Sequence, residues 1–425
     1  MPRSIRVIAV SAALVLAAAT PGSAAGSGRP SGAAVDWTTA WATAPAAAVS
    51  GVEQGYAGFT IRNVVHTTAG GNKVRIHLSN RFGTAPVRMG HVTVAVSAHA
   101  GGRRDGTVDP SDGSAAGPVK DVLFAGANAV TIPAGAEFVS DPVALRVRAD
   151  ADLLVSTWTP EPSGTVTFHP AAMQDSVFSR GPADHAGDPT ATAFAEKTSV
   201  WHYVSGVDVS GGPGTVVALG DSITDGVTST YGANRRWTDY LAARLAGDPA
   251  PDYGVANSGI SGNRVLLDDG YPNYTIYRTF GRSALTRLPQ DVLERAGART
   301  VIVFEGINDI QQTPHQDDPG AIIAGLSQIG AQAHARGLRV VGATIMAWRG
   351  WNSWTPELEK TRQAVNEWIR AGGDGTLQGV ADFDAVTRDP ADPEQLLPAY
   401  DSGDHLHPND AGDLAMAKSV PLSKL

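Results

Sequence analysis

The sequence predicts an α/β domain with a parallel sheet in its second half, preceded by an all-β domain. Two periodicities lead to this prediction: apolar residues recur at every second position from about residue 37 to 203, and strand-like runs alternate with helical stretches behind them. A third observation is length, because 425 residues are too many for one ordinary hydrophobic core. We therefore expect two domains, at residues 37–204 and 212–425.

The first half shows strands with one buried and one exposed face. In the segment NKVRIHLSN, Val74, Ile76 and Leu78 alternate with polar residues, and the segments HVTVAVS and PVALRVR repeat the pattern. Glycine and proline turns separate these strands, and no convincing helix lies between them. The pattern predicts a β-sandwich of jelly-roll type. The run SGVDVSGGPG at 205–214 has the glycine and serine content of a short linker.

The second half alternates strands with helices. Strand-like runs are expected at 215–219, 252–256, 300–304, 338–345 and 379–383. The segment RRWTDYLAARLAG has apolar residues at helical spacing and ends on Gly247 as a C-cap, and TPELEKTRQAVNEWIR begins with Thr355 as an N-cap and Pro356 at the first helical position. Alternating strands and helices imply a parallel sheet covered on both faces. Right-handed crossovers make this a flavodoxin-like three-layer α/β/α domain.

The N-terminus has the three-part plan of a secretory signal peptide. Arg3 and Arg6 form a basic start, residues 7–19 an apolar stretch, and residues 23–25 a small-residue cleavage site. A transmembrane anchor is the alternative, but a Pro-Gly pair ends the apolar stretch too early for one. The C-terminal Ser-Lys-Leu matches a peroxisomal address and conflicts with the longer N-terminal signal, so we interpret it as coincidence. The expectation is a signal peptide at 1–25 and a secreted, extracellular protein.

Charge and cysteine content exclude several classes of function. The formal net charge of −9 at pH 7 argues against nucleic acid or an anionic membrane as the main partner. The chain contains no cysteine, which excludes disulfides, thiolate-bound zinc and a cysteine nucleophile. Outside the leader no stretch is long and apolar enough to span a bilayer. The sequence leaves the oligomeric state open.

Polar or glycine-rich segments follow the predicted strands, at the edge where open parallel sheets form their binding sites. These segments are GDS at 220–222, NSGISGNR at 257–264, EGIND at 305–309, MAWRGWNSW at 346–354 and SGDHLHPND at 402–410. In the first of them, Ser222 lies at a strand-to-helix corner. Either Ser222 is a nucleophile, or the corner is an ordinary tight turn in which Asp and Ser cap the helix.

A serine nucleophile needs a base and a group that orients the base. Asp404 and His407 are three residues apart, so in a helical turn they would lie on one side, whereas His405 would point elsewhere. A solvated acidic turn and a metal pair are the alternatives for this segment. Metal binding lacks a clear third ligand nearby.

A serine hydrolase also needs donors fixed in advance around the oxyanion that forms during the reaction. Ser222 at a helix N-terminus has a free N–H, and Gly262 in a glycine-rich turn can present a second one. Asn308, just past a strand end, offers a side-chain amide. Taken singly, each of these features is more often plain turn chemistry. Together with Asp404 and His407, and each near the end of a different predicted strand, these residues form a complete set for ester cleavage.

Four segments together resemble the SGNH/GDSL hydrolase superfamily. They are GDSIT at 220–224, GISGNR at 259–264, GIND at 306–309 and DHLHP at 404–408. The resemblance covers about residues 214–420, and the Ile of GDSI, where the family often has Leu, is a common variant. The β-rich first half resembles, more weakly, the N-terminal domain of some secreted bacterial members.

The resemblance implies a role for each candidate residue. Ser222 would be the nucleophile, and Asp404 and His407 would complete a catalytic triad. The backbone N–H groups of Ser222 and Gly262, with the side chain of Asn308, would form the oxyanion hole. The implied enzyme is a secreted serine esterase that forms an acyl-enzyme and needs no cofactor and no metal.

The substrate class stays open at this point. Esterases, lipases, phospholipases and carbohydrate O-deacetylases share these segments, so a small-molecule, glycan or lipid ester would fit. Six aromatic residues near the site can stack on sugars, line an acyl pocket or simply pack loops: Trp348, Trp351, Trp354, Tyr271, Tyr274 and Tyr277.

Two alternatives come from other classes of protein. A nucleotide- or flavin-binding protein is disfavoured because GDSITDG lacks the glycine spacing of a phosphate loop and carries two carboxylates. A non-catalytic glycan-binding protein would be expected to lack a member of the triad, and none is missing. We expect the second half alone to hydrolyse a small ester, with the first domain either capturing substrate or forming one wall of the crevice.

Overall fold

The computed structural model describes residues 36–98, 113–247, 251–269 and 279–425. The predicted signal peptide and the three tyrosines Tyr271, Tyr274 and Tyr277 lie outside the described residues. Within the described ranges, no helix combines the length and the apolar character needed to cross a membrane.

Fifteen short strands build the described part of the first half. They are β1 Trp37–Ala42, β2 Ala47–Ala48, β3 Phe59–Thr67, β4 Val74–Ser79, β5 Val87–Met89, β6 His91–Val96, β7 Lys120–Asp121, β8 Val130–Ile132, β9 Glu137–Val139, β10 Ala151–Thr159, β11 Thr167–His169, β12 Ser176–Arg180, β13 Glu196–Thr198, β14 Trp201–His202 and β15 Val204–Ser210. The two larger sheets have the orders β1-β15-β4-β9 and β13-β12-β3-β10-β6-β7, with antiparallel pairing. Their inner faces share one apolar core, which includes Val74, Ile76 and Leu78. The prediction of an all-β sandwich is confirmed.

The predicted linker at 205–214 is wrong over most of its length. Val204–Ser210 is strand β15, which lies between β1 and β4 in the first sheet. Val207 and Val209 are fully buried, so alternate valines provide the strand pattern while the glycine and serine residues between them hide it. Only a short glycine-rich turn then separates this strand from the next one, which begins at Thr215.

The segment PVALRVR also differs from its predicted form. Val143, Leu145 and Val147 are buried in alternation, as the pattern requires. Their backbone, however, makes only isolated bridges, Val143 with Val74 and Val147 with Gly71, and no regular strand forms. A segment whose side chains are buried alternately shows the sequence pattern of a strand even where its backbone does not form the regular hydrogen bonds of one.

The second half contains a five-stranded parallel sheet. Its strands are β16 Thr215–Gly220, β17 Gly254–Gly259, β18 Ala298–Phe304, β19 Arg339–Ala343 and β20 Gly379–Ala381. The strand order β17-β16-β18-β19-β20, with every pair parallel, is the flavodoxin-like order. The sequence-predicted fold class is therefore confirmed for this half as well.

Helices cover both faces of this sheet. They are α1 Ser222–Asp225, α2 Trp237–Gly247, α3 Ala284–Leu288, α4 Ile307–Gln311, α5 Pro319–Ala335, α6 Pro356–Arg370, α7 Phe383–Thr387 and α8 Asp410–Ser419. Side chains of β16 alternate between two apolar cores: Val217 and Leu219 pack with α5 and α6, and Val216 and Ala218 pack with α2 and α8. As predicted, Thr355 caps α6, since its side chain accepts the N–H of Leu358.

Buried polar contacts join the sandwich to the parallel-sheet domain. Arg81 of the sandwich makes an ion pair with Asp291 at 2.7 Å, and Asp291 is fully buried. Arg295 donates to the carbonyl oxygens of Ser205 at 3.0 Å and Thr43 at 3.1 Å. Removing the sandwich would leave such charges buried without partners or exposed, which is costly. The predicted domain boundaries themselves stay a prediction.

Candidate active site

Ser222 lies at the corner between β16 and α1, at the carboxyl edge of the parallel sheet. The carboxylate of Asp221 accepts the N–H of Ile223 at 3.0 Å and so caps α1. Gly226 ends the helix with a left-handed φ of 98°, a conformation that glycine adopts without strain. The capping interpretation of this corner therefore holds: Asp221 is the cap, and the cap fixes Ser222 as the first helical residue. The role of Ser222 as nucleophile stays a prediction.

His407 connects Ser222 to Asp404. The Oγ atom of Ser222 lies 2.9 Å from Nε2 of His407, and Nδ1 of His407 lies 2.6 Å from Oδ2 of Asp404. The hydroxyl can donate to Nε2 only when the proton of a neutral imidazole resides on Nδ1, and the contact with Asp404 holds it there. The three side chains thus have the geometry of a nucleophile, a base and a group that orients the base.

Backbone donors hold the carboxylate of Asp404 in place. Its Oδ1 atom accepts the N–H of Leu406 at 2.9 Å and of His407 at 2.8 Å. Burial alone would raise the pKa of Asp404, but the hydrogen bonds from His407 and from these backbone groups hold the pKa well below its usual range. The segment is not helical, contrary to our expectation: a side-chain-capped turn, rather than a helical turn, brings Asp404 to His407.

His405 lies outside the site, as its spacing predicts. Its Nδ1 atom contacts Oδ2 of Asp401 at 2.6 Å, and its side chain is 51% exposed. Asp401 also accepts two backbone N–H groups, those of Gly403 and His405. The pair Asp401–His405 therefore repeats the local geometry of Asp404–His407 without contacting the serine, which makes it a natural control.

The side chain of Asn308 presents an unpaired donor. Its Nδ2 atom is buried and has no hydrogen-bond partner among the described residues, while its Oδ1 atom accepts from Gln311 at 2.8 Å and Gln312 at 3.0 Å. A buried amide N–H without a partner costs free energy, so its persistence points to a ligand atom that it meets during the reaction. An oxyanion is such an atom.

Two donor-only groups fix the orientation of these amides. The indole N–H of Trp351 donates to Oε1 of Gln311 at 3.0 Å, and the guanidinium of Arg264 donates to Oε1 of Gln312 at 3.0 Å. Both glutamines must therefore turn their NH₂ groups towards Oδ1 of Asn308. This chain of bonds leaves Nδ2 of Asn308 as the free end, and neither glutamine was found by sequence reasoning.

Gly262 lies in a turn that the same network holds. Its φ of 80° favours glycine, and a Cβ atom there would come within 2.3 Å of the ring of Phe280. Gln312, which bonds to Asn308, also donates to the carbonyl oxygen of Gly262 at 2.9 Å. The residue before it, Ser261, bonds through its N–H and hydroxyl to Asp225 of α1. These bridges bring the three predicted oxyanion donors to one edge of the sheet.

Two further carboxyl groups are buried below the site. Burial raises the pKa of Asp221 to about 7 and that of Asp309 to about 6. Asp309 accepts the N–H groups of Val265 and Leu266 and so supports the turn that follows Gly262. Both carboxyl groups accept backbone N–H groups around the site, whereas Asp404 contacts His407.

The three tryptophans after β19 have different environments. The ring of Trp351 lies edge-on to the ring of His407, with centroids 6.1 Å apart. Trp348 is fully buried in the core and donates to Glu359, and Trp354 is partly buried below Arg349. Of the three, Trp351 is the one that contacts His407 and Gln311. Among the described residues, no cluster of His, Cys, Asp or Glu could hold a metal ion.

Comparison with known proteins gives the family. Residues 218–415 match the GDSL-like lipase/acylhydrolase family. The parallel-sheet domain is thus a GDSL-like lipase/acylhydrolase domain, and this match supports a serine esterase. No curated protein matched the chain.

Solved structures similar to the chain cover about half of it. One is a GDSL-like lipase from Bacteroides thetaiotaomicron, with 19% identity and a TM-score of 0.36 over 49% of this chain and 86% of that one. Another is an acetylxylan esterase from Geobacillus stearothermophilus, with 22% identity and a TM-score of 0.36 over 49% of this chain and 93% of that one.

Proposed function

We propose that the protein hydrolyses carboxylic esters through an acyl-enzyme on Ser222. Nε2 of His407 accepts the serine proton while Oγ attacks the carbonyl carbon. The N–H groups of Ser222 and Gly262 and the amide of Asn308 stabilise the oxyanion. Collapse of the intermediate expels the alcohol with the proton from His407, and a water molecule then repeats the sequence and releases the acid.

One observation carries this proposal: the continuous hydrogen-bond path from Ser222 Oγ through His407 to Asp404, at 2.9 and 2.6 Å. The buried Nδ2 of Asn308 also supports it, because this donor has no partner among the described residues and is free to bond to an oxyanion.

The experiment that tests the function is a substrate series. Purified enzyme is assayed on p-nitrophenyl esters of increasing chain length, on acetylated xylan and on phospholipid vesicles, each beside the Ser222→Ala variant. Ester hydrolysis by the wild-type enzyme that is absent in Ser222→Ala supports the proposal. The substrate that is hydrolysed fastest then distinguishes a short-chain esterase, a carbohydrate O-deacetylase and a lipase. If the enzyme hydrolyses no ester in any arm, the proposal is contradicted.

We also propose that the protein is exported. The support is the basic, apolar and small-residue pattern of its first 25 residues. Expression of the full chain in a secreting bacterial host tests this, with N-terminal sequencing of the product. A product in the medium that begins near residue 26 supports export, and an uncleaved product retained in the cells contradicts it.

Replacing Asp404 by asparagine is expected to lower kcat by about 10⁴-fold. Because Oδ1 is held by two backbone N–H groups, the new NH₂ group must face Nδ1 of His407. Nδ1 then has to accept, the imidazole proton moves to Nε2, and Nε2 can no longer accept the proton of Ser222. Steady-state kinetics on p-nitrophenyl acetate measure the loss.

The matched control for this substitution is Asp401→Asn, which makes the same change beside His405. We expect it to keep most of the activity, since that pair does not touch Ser222. Equal losses in the two variants would show that a general disturbance of the loop, rather than the tautomer of His407, lowers the rate.

Truncating Asn308 to alanine is expected to slow the chemical step by about 3 kcal/mol, the usual contribution of one oxyanion donor. Its free Nδ2 is placed to meet charge that develops only in the transition state, so KM should change little. Separate determination of kcat and KM checks this. An increase in KM with an unchanged kcat would make Asn308 a substrate-binding residue instead.

A further inference from the structure

A buried histidine of the sandwich reaches into the parallel-sheet domain beside the nucleophile. His169, at the end of β11, places Nε2 2.9 Å from Oδ1 of Asp225, the last residue of α1. The two side chains are 2% and 3% exposed. Ser222 is the first residue of the same short helix, so this contact lies one helical turn from the nucleophile.

The hydrogen-bond pattern shows how His169 is charged. Its Nδ1 atom lies 2.8 Å from the carbonyl oxygen of Ala44, which can only accept, so Nδ1 carries a proton. The Asp225 carboxylate accepts the proton on Nε2. Burial alone lowers the pKa of His169, but the charge and hydrogen bond of Asp225 raise it above its usual value. His169 and Asp225 therefore have the contacts of a buried imidazolium–carboxylate pair.

Asp225 uses its other oxygen to hold the turn that contains Gly262. Oδ2 accepts the N–H of Ser261 at 2.9 Å and the hydroxyl of Ser261 at 2.6 Å. The peptide bond from Ser261 to Gly262 carries the Gly262 N–H. The position of that N–H thus depends on Ser261, which depends on Asp225, whose side-chain direction depends on His169.

A second ion pair between the domains reaches the same turn by another route. Arg81 and Asp291 join the domains at 2.7 Å, and Asp291 pairs with Arg287, which donates to Oδ1 of Asn263 at 2.9 Å. Breaking such a pair would lower stability. Breaking the pair of His169 and Asp225 would lower stability and also remove the bond at Oδ1 that orients the Asp225 carboxylate towards Ser261.

We propose that His169 is a positioning residue for ester hydrolysis: through Asp225 and Ser261 it holds the Gly262 N–H at the oxyanion. The proposal rests on the proposed function. It gives the sandwich domain a part in the chemical step, beyond the substrate capture or crevice wall expected from the sequence. It also implies that the parallel-sheet domain alone has an impaired oxyanion hole.

Two isosteric substitutions in the full-length protein separate the two bonds of His169. In His169→Gln the side-chain NH₂ group can take the place of Nε2 and keep the bond to Asp225. In His169→Asn the NH₂ group can take the place of Nδ1, keeping the bond to Ala44 and losing Asp225. Both variants lose the positive charge, so they differ mainly in the contact with Asp225.

We expect His169→Asn to lower kcat on p-nitrophenyl acetate about 10- to 100-fold with KM changed less than about twofold, because the displaced donor acts in the transition state. His169→Gln should retain kcat within about threefold. His202→Ala is a control for the loss of a buried imidazole, since His202 lies on the neighbouring strand β14 and pairs with Phe168. It should lower Tm without lowering kcat.

Ser261→Ala gives a second test that remains available if a His169 variant folds poorly, and a double-mutant cycle joins the two. Ser261→Ala removes the hydroxyl bond to Asp225 and should itself lower kcat several-fold. Because His169 and Ser261 act through one carboxylate, the losses of Ser261→Ala and His169→Gln or His169→Asn should combine to less than their product. Equal kcat for His169→Asn and His169→Gln, or a full kcat in Ser261→Ala, overturns the proposal.

The outcome is separable from a failure of the proposed function. If Ser222→Ala hydrolyses esters at the wild-type rate, the proposed function fails whatever the His169 variants do. If Ser222→Ala is inactive while His169→Asn has the wild-type kcat, only the positioning role of His169 fails.

Discussion

Ser222→Ala is expected to lower kcat for p-nitrophenyl acetate by about 10⁶-fold, the scale seen when a triad nucleophile is removed. Without Oγ no acyl-enzyme forms, and the oxyanion donors can only assist a direct attack by water. The variant should fold normally, because the capping bond from Asp221 to the Ile223 N–H does not involve the serine side chain. Steady-state kinetics and a thermal melt measure both properties.

Ser229→Ala is the control for this variant. Ser229 is also buried near α1, and its hydroxyl donates to the carbonyl oxygen of Gly226 at 2.7 Å rather than to His407. It should retain most of the activity. Retention of more than a few per cent of kcat by Ser222→Ala, in protein free of wild-type enzyme, would refute its role as nucleophile.

The second large effect separates two neighbouring histidines. His407→Ala should lose about as much activity as Ser222→Ala, because the serine then has no base and its hydroxyl is a weak nucleophile. His405→Ala should keep a large part of the activity, since His405 contacts Asp401 on the exposed side of the loop. Parallel measurements of kcat and Tm on both variants test this.

Equal losses in these two variants would contradict the assignment of the base. A loss in His405→Ala alone would make His405 the base, against the 2.9 Å contact between His407 and Ser222. Added imidazole provides a further check, because it can occupy the space left in His407→Ala and should restore part of the rate there.

The sequence predicted both halves of the fold because each has one dominant periodicity. Val74, Ile76 and Leu78 alternate over a two-sided sheet, and the buried runs around Val217 and Ile302 alternate with capped helices. Strand β15 was missed because its glycine and serine residues match a linker composition, although its valines are fully buried. Composition is a weaker signal than burial, which only the tertiary structure reveals.

Ser222 could be found from sequence because it directly follows a strand, and Asp404 and His407 because they lie close together in a polar segment between α7 and α8. The groups that orient them could not. Gln311 and Gln312 are unremarkable in the sequence, and their role depends on donors from Trp351 and Arg264. His169 is 56 residues from Asp225 and lies in a strand of another domain. No local sequence pattern predicts a contact over that separation.

One measurement tests the central claim most directly: peptide mapping by mass spectrometry after inactivation with an organophosphonate ester. Such a reagent reacts with a serine only when a base activates the hydroxyl and donors stabilise the charge on the phosphoryl oxygen. We predict complete loss of activity, one adduct per chain, and its location on Ser222 within the segment GDSIT at 220–224. An adduct on any serine outside this segment, or inactivation without a covalent adduct, would contradict the account.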